Sequence, residues 1–516
     1  MPLVEALYSR LIVPLLLGGL TSLCYTVVRR ILLTVHYQKL PPSPPGHWLS
    51  GNTPRIKYPH RYYAQLAETY GPVFTLRYGT RNLPAEDIMV KQSYNLADRP
   101  RTKAVAEILS DGMRLVSMGV CDRLWKYRSS LHATLQPRIA ATYEPLQMHH
   151  ARNFILDILD DPDQFINHAK RYAASVTLNM TYGKTTPTSY SDPDVTRINE
   201  VMERVANASR PGAYIVDSYP ILKYIPVFTW ELKRFHKDEL ALFRSQVQAV
   251  KNRVAKNEAL PCFTLSLLER QEEFGLDDDE LAYLAGAMYG GGSDTTAGVL
   301  PLVIMAAAHY PHLQAKVQAQ LDKVVGCDRL PTFSDRTKLP EVCAFVQEIY
   351  RWRPATPIGP LPMTFASLFV RRLTHQSTGV PHRATKDVFW KDYVIPAGTD
   401  VLACHWAISL DPEVYPDPEA FKPERWLNDR GEMREDLKFC NWGFGRRICP
   451  GQHVAERSIF INTALMLWAF EISEDPAHPI DTMAVSDGAL AHPYPFTVRF
   501  KPRITNLREK VLSHVE

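Results

Sequence analysis

Apolar residues recur with the period of a helix along most of this chain. Leu232, Phe235, Leu240, Phe243, Val247, Val250 and Val254 form one stripe, which predicts a long amphipathic helix with a single buried face. Asp277-Asp278-Asp279-Glu280 stands ahead of a longer and more uniformly apolar run. Carboxylates there suit the positive end of a helix dipole. Extended pieces are short: Val73–Arg77 and Val394–Val401, the second broken by Pro396 and Gly398. After Thr53 no stretch is rich enough in Pro, Gly or Ser to divide the chain, and no internal repeat is evident. The pattern predicts a mainly α fold with small β-sheets, organised as one unit over residues 53–516.

The amino-terminal pattern is different. Residues 11–28 read LIVPLLLGGLTSLCYTVV, without a charge, near the lower end of what spans a bilayer. Arg29 and Arg30 follow at once, which assigns the downstream chain to the cytosolic side. No small-x-small cleavage site follows, so an uncleaved signal-anchor is favoured over a signal peptide. Leu40-Pro41-Pro42-Ser43-Pro44-Pro45-Gly46 reads as a semi-rigid spacer. The expected organisation is a membrane anchor over 1–36 and a proline-rich hinge over 37–52, then the main domain.

Composition narrows the class. With 516 residues, 45% apolar and 22% charged, the chain can bury a sizeable core. A formal charge of +4 argues against a nucleic-acid binder that relies on charge. Its 8 cysteines are scattered, with no C-x-x-C, which fits a reducing compartment. Cys440 and Cys449 lack histidines at zinc-ligand spacing.

Three segments carry candidate chemistry. Trp442-Gly443-Phe444-Gly445-Arg446-Arg447-Ile448-Cys449-Pro450-Gly451 places a cysteine in a glycine-punctuated turn behind two arginines. Glycines permit close backbone approach, a thiolate donates electron density to a metal, and a guanidinium pairs with a carboxylate. Gly290-Gly291-Gly292-Ser293-Asp294-Thr295-Thr296 lies inside the long apolar helix. Each glycine there costs about 1 kcal/mol relative to alanine, so something must offset them. Asp294 and Thr295 set an acid beside an alcohol, suited to proton delivery. Glu348-Ile349-Tyr350-Arg351 puts opposite charges on one helix face, and Pro423-Glu424-Arg425-Trp426 follows downstream.

The cysteine segment resembles the F-x-x-G-x-R-x-C-x-G loop of the cytochrome P-450 family, with Trp442 in place of Phe. The glycine segment resembles that family's [A/G]-G-x-[D/E]-T-[T/S] helix, Glu348-x-x-Arg351 its E-x-x-R, and Pro423–Trp426 its P-E-R-F. The texture of Arg171–Asp192 and Val380–Trp406 is closest to fungal, basidiomycete, microsomal members. The resemblance implies the cytochrome P-450 fold behind an N-terminal transmembrane helix, and haem b with Cys449 as axial iron ligand. It further implies cofactor contacts from Arg447, Phe444, Gly445, His382 and Arg128, the last in register if Leu124 replaces the family's tryptophan. Thr295 would support oxygen activation while Asp294 relays protons, and Glu348, Arg351 and Arg425 would form a structural triad behind the cofactor. The implied activity is monooxygenation of a lipophilic small molecule, a terpenoid or aromatic of fungal secondary metabolism. Electrons would come from NADPH–cytochrome P-450 reductase, with cytochrome b5 as a second donor. The implied location is the endoplasmic reticulum membrane, single-pass, with the catalytic domain cytosolic.

One departure stands out. The family runs from the E-x-x-R helix into a propionate-binding strand, here Val380-Pro381-His382-Arg383, but residues 360–379 intervene. They read as a substrate loop or as a retained intron or mistaken gene model, the second being favoured because the flanks rejoin cleanly. Two rival functions follow: a haem-thiolate isomerase or dehydratase, which Asp294-Thr295 argues against, and a membrane-anchored binding protein impaired by the insert.

Overall fold

The computed structural model describes residues 40–45, 59–71, 74–78, 81–83, 92–185, 189–209, 212–356, 380–390, 392–437, 439, 441–486 and 490–513. The helices that matter for the site are, in chain order, α1 (Asp122–Leu135), α2 (Glu144–Asp160), α3 (Phe165–Tyr182), α4 (Pro193–Ala208), α5 (Trp230–Ala255), α6 (Asp278–His309), α7 (Pro340–Trp352) and α8 (Gln452–Ala469). The strands are β1 (Leu76–Tyr78), β2 (Arg81–Leu83), β3 (His382–Arg383), β4 (Val388–Trp390), β5 (Tyr393–Ile395), β6 (Asp400–Val401), β7 (Phe470–Glu474) and β8 (Val498–Pro502). They pair as four two-stranded antiparallel sheets, β1–β2, β3–β6, β4–β5 and β7–β8. The mainly helical reading with small sheets therefore stands. The 11–28 anchor, most of the hinge and the 360–379 insert lie outside the described residues. Among the described residues no helix is long and apolar enough to cross a membrane.

The 32-residue α6 is the axis of the molecule. It opens on a capping box: the Asp277 side chain accepts from Glu280 N at 2.7 Å and the Glu280 side chain accepts from Asp277 N at 3.3 Å. Its second half, Thr296 to Ala308, is buried without interruption, so no polar face is needed there. The helix packs against α3, α5 and α8, and α3 is itself buried over most of its circumference. Gly286 lets α5 come close, since a Cβ there would stand 2.4 Å from the Phe243 ring. On α5, Leu232, Leu240, Phe243, Val247 and Val250 of the stripe are buried. Val254 is exposed, because the helix outlasts the core by a turn.

Two loops carry the chemistry to this axis. In β3–β6, His382 lies opposite Val401, and Arg383 N donates to Asp98 O at 2.9 Å. That bond draws the 96–99 segment onto the strand. The Trp442–Gly451 turn is closed by Cys449 N donating to Trp442 O at 2.8 Å, with Gly443 and Gly445 at φ +82° and +51°, the left-handed region that favours glycine. It feeds directly into α8.

Candidate functional site

Cys449 is half-buried at the mouth of α8. Burial pushes its thiol up, against the lowering influence of the Gly451 and Gln452 backbone amides and the Arg128 charge. Burial thus disfavours the thiolate, and a metal that takes the sulfur's charge would favour it. A Cβ on Gly445 would stand 2.2 Å from Ser93 Cβ, so this glycine admits the 92–95 turn. Phe444 is buried in a satellite cluster with Leu96, Val388 and Val401 and stacks on His405 at 5.5 Å. Both residues shape the loop through protein contacts of their own.

Beside the cysteine lies a set of basic side chains, buried at Arg99, Arg447 and His382 and half-buried at Arg128. Arg447 donates from Nε to Ala97 O at 2.6 Å and from Nη2 to Met118 O at 2.7 Å. Arg128, on α1, donates to Ile448 O at 3.0 Å, one residue before Cys449, while Leu124 one turn earlier is fully buried. Arg99 donates to Val380 O at 2.8 Å and Pro381 O at 2.9 Å. His382 is buried, with Nδ1 on Leu96 O, so Nε2 is the nitrogen left for any further contact. Desolvation acts on every member, Arg128 included, and repulsion from neighbouring cations adds to it at Arg99, Arg447 and His382. Burial, then Arg447 and Arg128, hold Arg99 well below its ordinary range. Burial, then Arg128, push Arg447 down to about 10. Burial, then Arg99, lower His382 strongly. Asp98 opposes these shifts on Arg99 and Arg447, and its carboxylate already accepts from Val120 N at 2.7 Å. Arg99 Nε is buried without a partner. Charge of this kind calls for an anion. Arg99 escaped the sequence reading because its only signal there is an Asp-Arg-Pro tripeptide.

The glycine triplet on α6 divides its labour. A Cβ on Gly290 would meet Met202 Sδ of α4 at 2.7 Å, and one on Gly292 would meet Thr177 of α3 at 3.0 Å. A Cβ on Gly291 would meet nothing within 4 Å. Two glycines thus serve helix packing and one faces open space. Thr295 Oγ1 donates back to Gly291 O at 2.8 Å, on that same open face. Asp294 pairs through Oδ1 with His492 Nε2 at 3.1 Å, a partner from the loop between β7 and β8.

The third constellation is fully buried. Arg351 grips Glu348 with two bonds, Nε to Oε2 at 2.8 Å and Nη2 to Oε1 at 2.6 Å, both side chains having no exposure. Arg425 Nε reaches Oε1 at 3.2 Å and Lys422 N reaches it at 2.8 Å. Trp426 Nε1 donates to Oε2 at 2.9 Å, a bond that the family's phenylalanine could not make. The remaining Arg351 donors go to Ser409, Pro418 and Ala420 carbonyls. Tyr350 meets Trp442 of the cysteine loop edge-on, ring centroids 5.4 Å apart.

The cytochrome P450 family model matches residues 41–361 and 370–500, the break falling within the 360–379 stretch. Cytochrome P450 monooxygenase 88 of the fungus Postia placenta is 53% identical over 484 residues, covering 92% of this chain and 94% of the relative. A cytochrome P450 monooxygenase of Armillaria gallica is 33% identical over 513 residues, 95% of this chain and 94% of that one. A zebra fish cytochrome P450 solved with progesterone has TM-score 0.68 at 23% identity, covering 88% of this chain and all of the other. The chain belongs to the cytochrome P450 family. It is, within that family, a fungal-type monooxygenase, an oxidoreductase of a class that binds haem b iron through a cysteine thiolate, uses redox partners and takes lipophilic substrates.

The Glu348 cluster generates one prediction. Arg351→Ala strands a buried carboxylate and should cost about 3–5 kcal/mol of stability. Thermal melting of the purified protein checks this; an unchanged midpoint would show that the cluster does not hold the fold.

Proposed function

We propose that Cys449 would hold the iron of a bound haem through its thiolate and that Arg99, Arg128, Arg447 and His382 would receive the two propionates. The observation that carries this reading is the group of basic side chains beside Cys449, with the orphaned Arg99 Nε among its donors. Among the described residues no group of three or more His, Cys, Asp or Glu could cage a bare metal, so a metal held here would come with ligands of its own, and a porphyrin brings two carboxylates besides. The residues present fit that group. When bound, haem supplies the binding and reductive activation of dioxygen.

The protein's own part is positioning and proton supply. Insertion of one atom of O2 into a substrate, with the other leaving as water, consumes two electrons and two protons. Asp294 holds an acid and Thr295 Oγ1 a hydroxyl next to the one glycine of the triplet that faces open space, so protons can be delivered there. The Glu348 cluster fixes the path of the 409–426 segment, and the Tyr350–Trp442 contact ties α7 to the cysteine loop.

The electron donor in this reading is an NADPH-dependent cytochrome P450 reductase, with cytochrome b5 as an accessory donor. The substrate in this reading is a terpenoid or aromatic of fungal secondary metabolism, a class taken from family analogy alone. A substrate-induced spin-shift screen across such compounds tests the class, and silence across the panel would sink it. We also place the protein at the endoplasmic reticulum membrane, anchored by residues 11–28 with the catalytic domain cytosolic. Exposed Ile221, Tyr224, Val227 and Trp230 on one short segment support a second contact with the bilayer.

Three outcomes check these roles. Cys449→Ala should lose the thiolate-type Soret band of the reduced CO complex; its survival refutes the ligand assignment. Thr295→Ala, reconstituted with reductase, should yield at least about tenfold less product per NADPH consumed, with hydrogen peroxide making up the difference. Equal coupling would remove Thr295 from proton delivery. Full-length protein should float with liposomes, and deletion of 1–36 plus serine at Ile221, Tyr224 and Val227 should leave it in the unbound fraction. Flotation unaffected by these changes would place the membrane contact elsewhere.

A further inference from the structure

Asp294 does not stand alone on α6. The loop between β7 and β8 brings His492 against it, with Nε2 3.1 Å from Oδ1. The loop is pinned on both sides of that histidine. Ser486 N donates to His492 O at 2.7 Å, and His492 N donates to Ser486 Oγ at 3.0 Å. Ala491 N donates to Ala355 O at 2.8 Å and Tyr494 N to Ala484 O at 2.9 Å. The backbone that carries the ring therefore has little freedom. The ring also has a prepared seat. One turn along α6 from Asp294, a Cβ on Gly298 would come within 3.1 Å of both Cε1 and Nδ1 of His492. Glycine at 298 leaves the imidazole room against the helix while its Nε2 reaches the carboxylate.

Asp294 is otherwise a half-exposed side chain in the middle of a buried helix. Such a carboxylate samples several rotamers, and each placement away from the open face is unproductive. A nitrogen that faces a carboxylate oxygen must carry a hydrogen, so Nε2 is the donor. Holding Oδ1 leaves Oδ2 as the oxygen free to carry a proton toward the Thr295 hydroxyl.

We propose that His492 is a positioning residue for oxygen activation: it fixes the Asp294 carboxylate through its Nε2–H and so sets how efficiently reductant is converted to product. This inference rests on the reading of Asp294 and Thr295 as the proton-delivery pair. The histidine itself never meets the substrate or the cofactor in this role, and the bond it makes can be copied by another donor of similar reach.

The test compares His492→Phe, which keeps a ring over Gly298 without a donor, with His492→Gln, which keeps a donor. Asp294→Asn and Thr295→Ala serve as references. In the haem-loaded enzyme with reductase, His492→Phe should lower product per NADPH three- to tenfold. His492→Gln should stay within about twofold of the wild type. In thermal melts, the shifts from His492→Phe and Asp294→Ala should be non-additive, since either change alone removes the contact. Retention of the reduced-CO band certifies that each variant is folded and loaded. If Asp294→Asn and Thr295→Ala uncouple the enzyme but His492→Phe does not, the proposal fails while the proton-delivery reading survives. If neither reference variant uncouples, both fall. Additive melting shifts, or a His492→Gln variant as uncoupled as His492→Phe, would also overturn it.

Discussion

A carboxylate with no exposure to water organises the side of the molecule behind the cysteine loop. Glu348 accepts five hydrogen bonds, two from Arg351 and one each from Arg425, Trp426 and the Lys422 backbone. Its value lies less in net stability than in geometry, because a buried ion pair barely repays its desolvation. The charge cannot be left unpaired, so every chain segment that supplies a donor is obliged to arrive at one place. Arg351 extends that obligation by using its other hydrogens on the carbonyls of Ser409, Pro418 and Ala420. The 409–426 segment, which has little regular structure, is fixed by these bonds rather than by a ladder of its own.

The opposite face follows the reverse logic. Around Cys449 the protein has gathered guanidinium groups and withheld most of the carboxylates that would balance them. The satisfied cluster is a frame, and the unsatisfied one is a receptor. Arg99 is depressed by burial and by the Arg447 and Arg128 charges, and Arg447 by burial and by Arg128. The receptor sits between two covalently distant pieces of chain, the 96–99 segment and the 442–451 turn, joined by the bond from Arg447 Nε to Ala97 O, with the 96–99 segment held in turn on β3 by the Arg383–Asp98 bond.

Much of this was readable in the residue order. The acids of 277–280, the stripe on α5 and the break at Pro396 and Gly398 all report local physics, and local physics survives folding. The motifs around Cys449, Asp294-Thr295 and Glu348-x-x-Arg351 were legible because their members lie within one turn or one loop. Arg99 and His492 were not, because each acquires its role from a partner far away in sequence: Arg99 from Val380 and Pro381, His492 from Asp294. Trp426 is an instructive case. In sequence it was a departure from a phenylalanine, and only the placement of Glu348 Oε2 shows it to be an added donor. The glycine triplet likewise looked like one motif with one purpose.

The structure separates those three glycines, and the separation has a meaning for how the chain tolerates change. At Gly290 and Gly292 the missing side chain is required by a neighbour, so helix stability and fold agree on glycine. At Gly291 no neighbour requires it. A methyl group there would meet no atom and would recover about 1 kcal/mol of helix propensity. The chain forgoes that gain at the one position whose open side adjoins the Thr295 hydroxyl. Selection for helix stability alone would favour alanine here, and the family's [A/G] pattern admits either residue at this position; glycine is the choice that leaves the widest opening beside that hydroxyl.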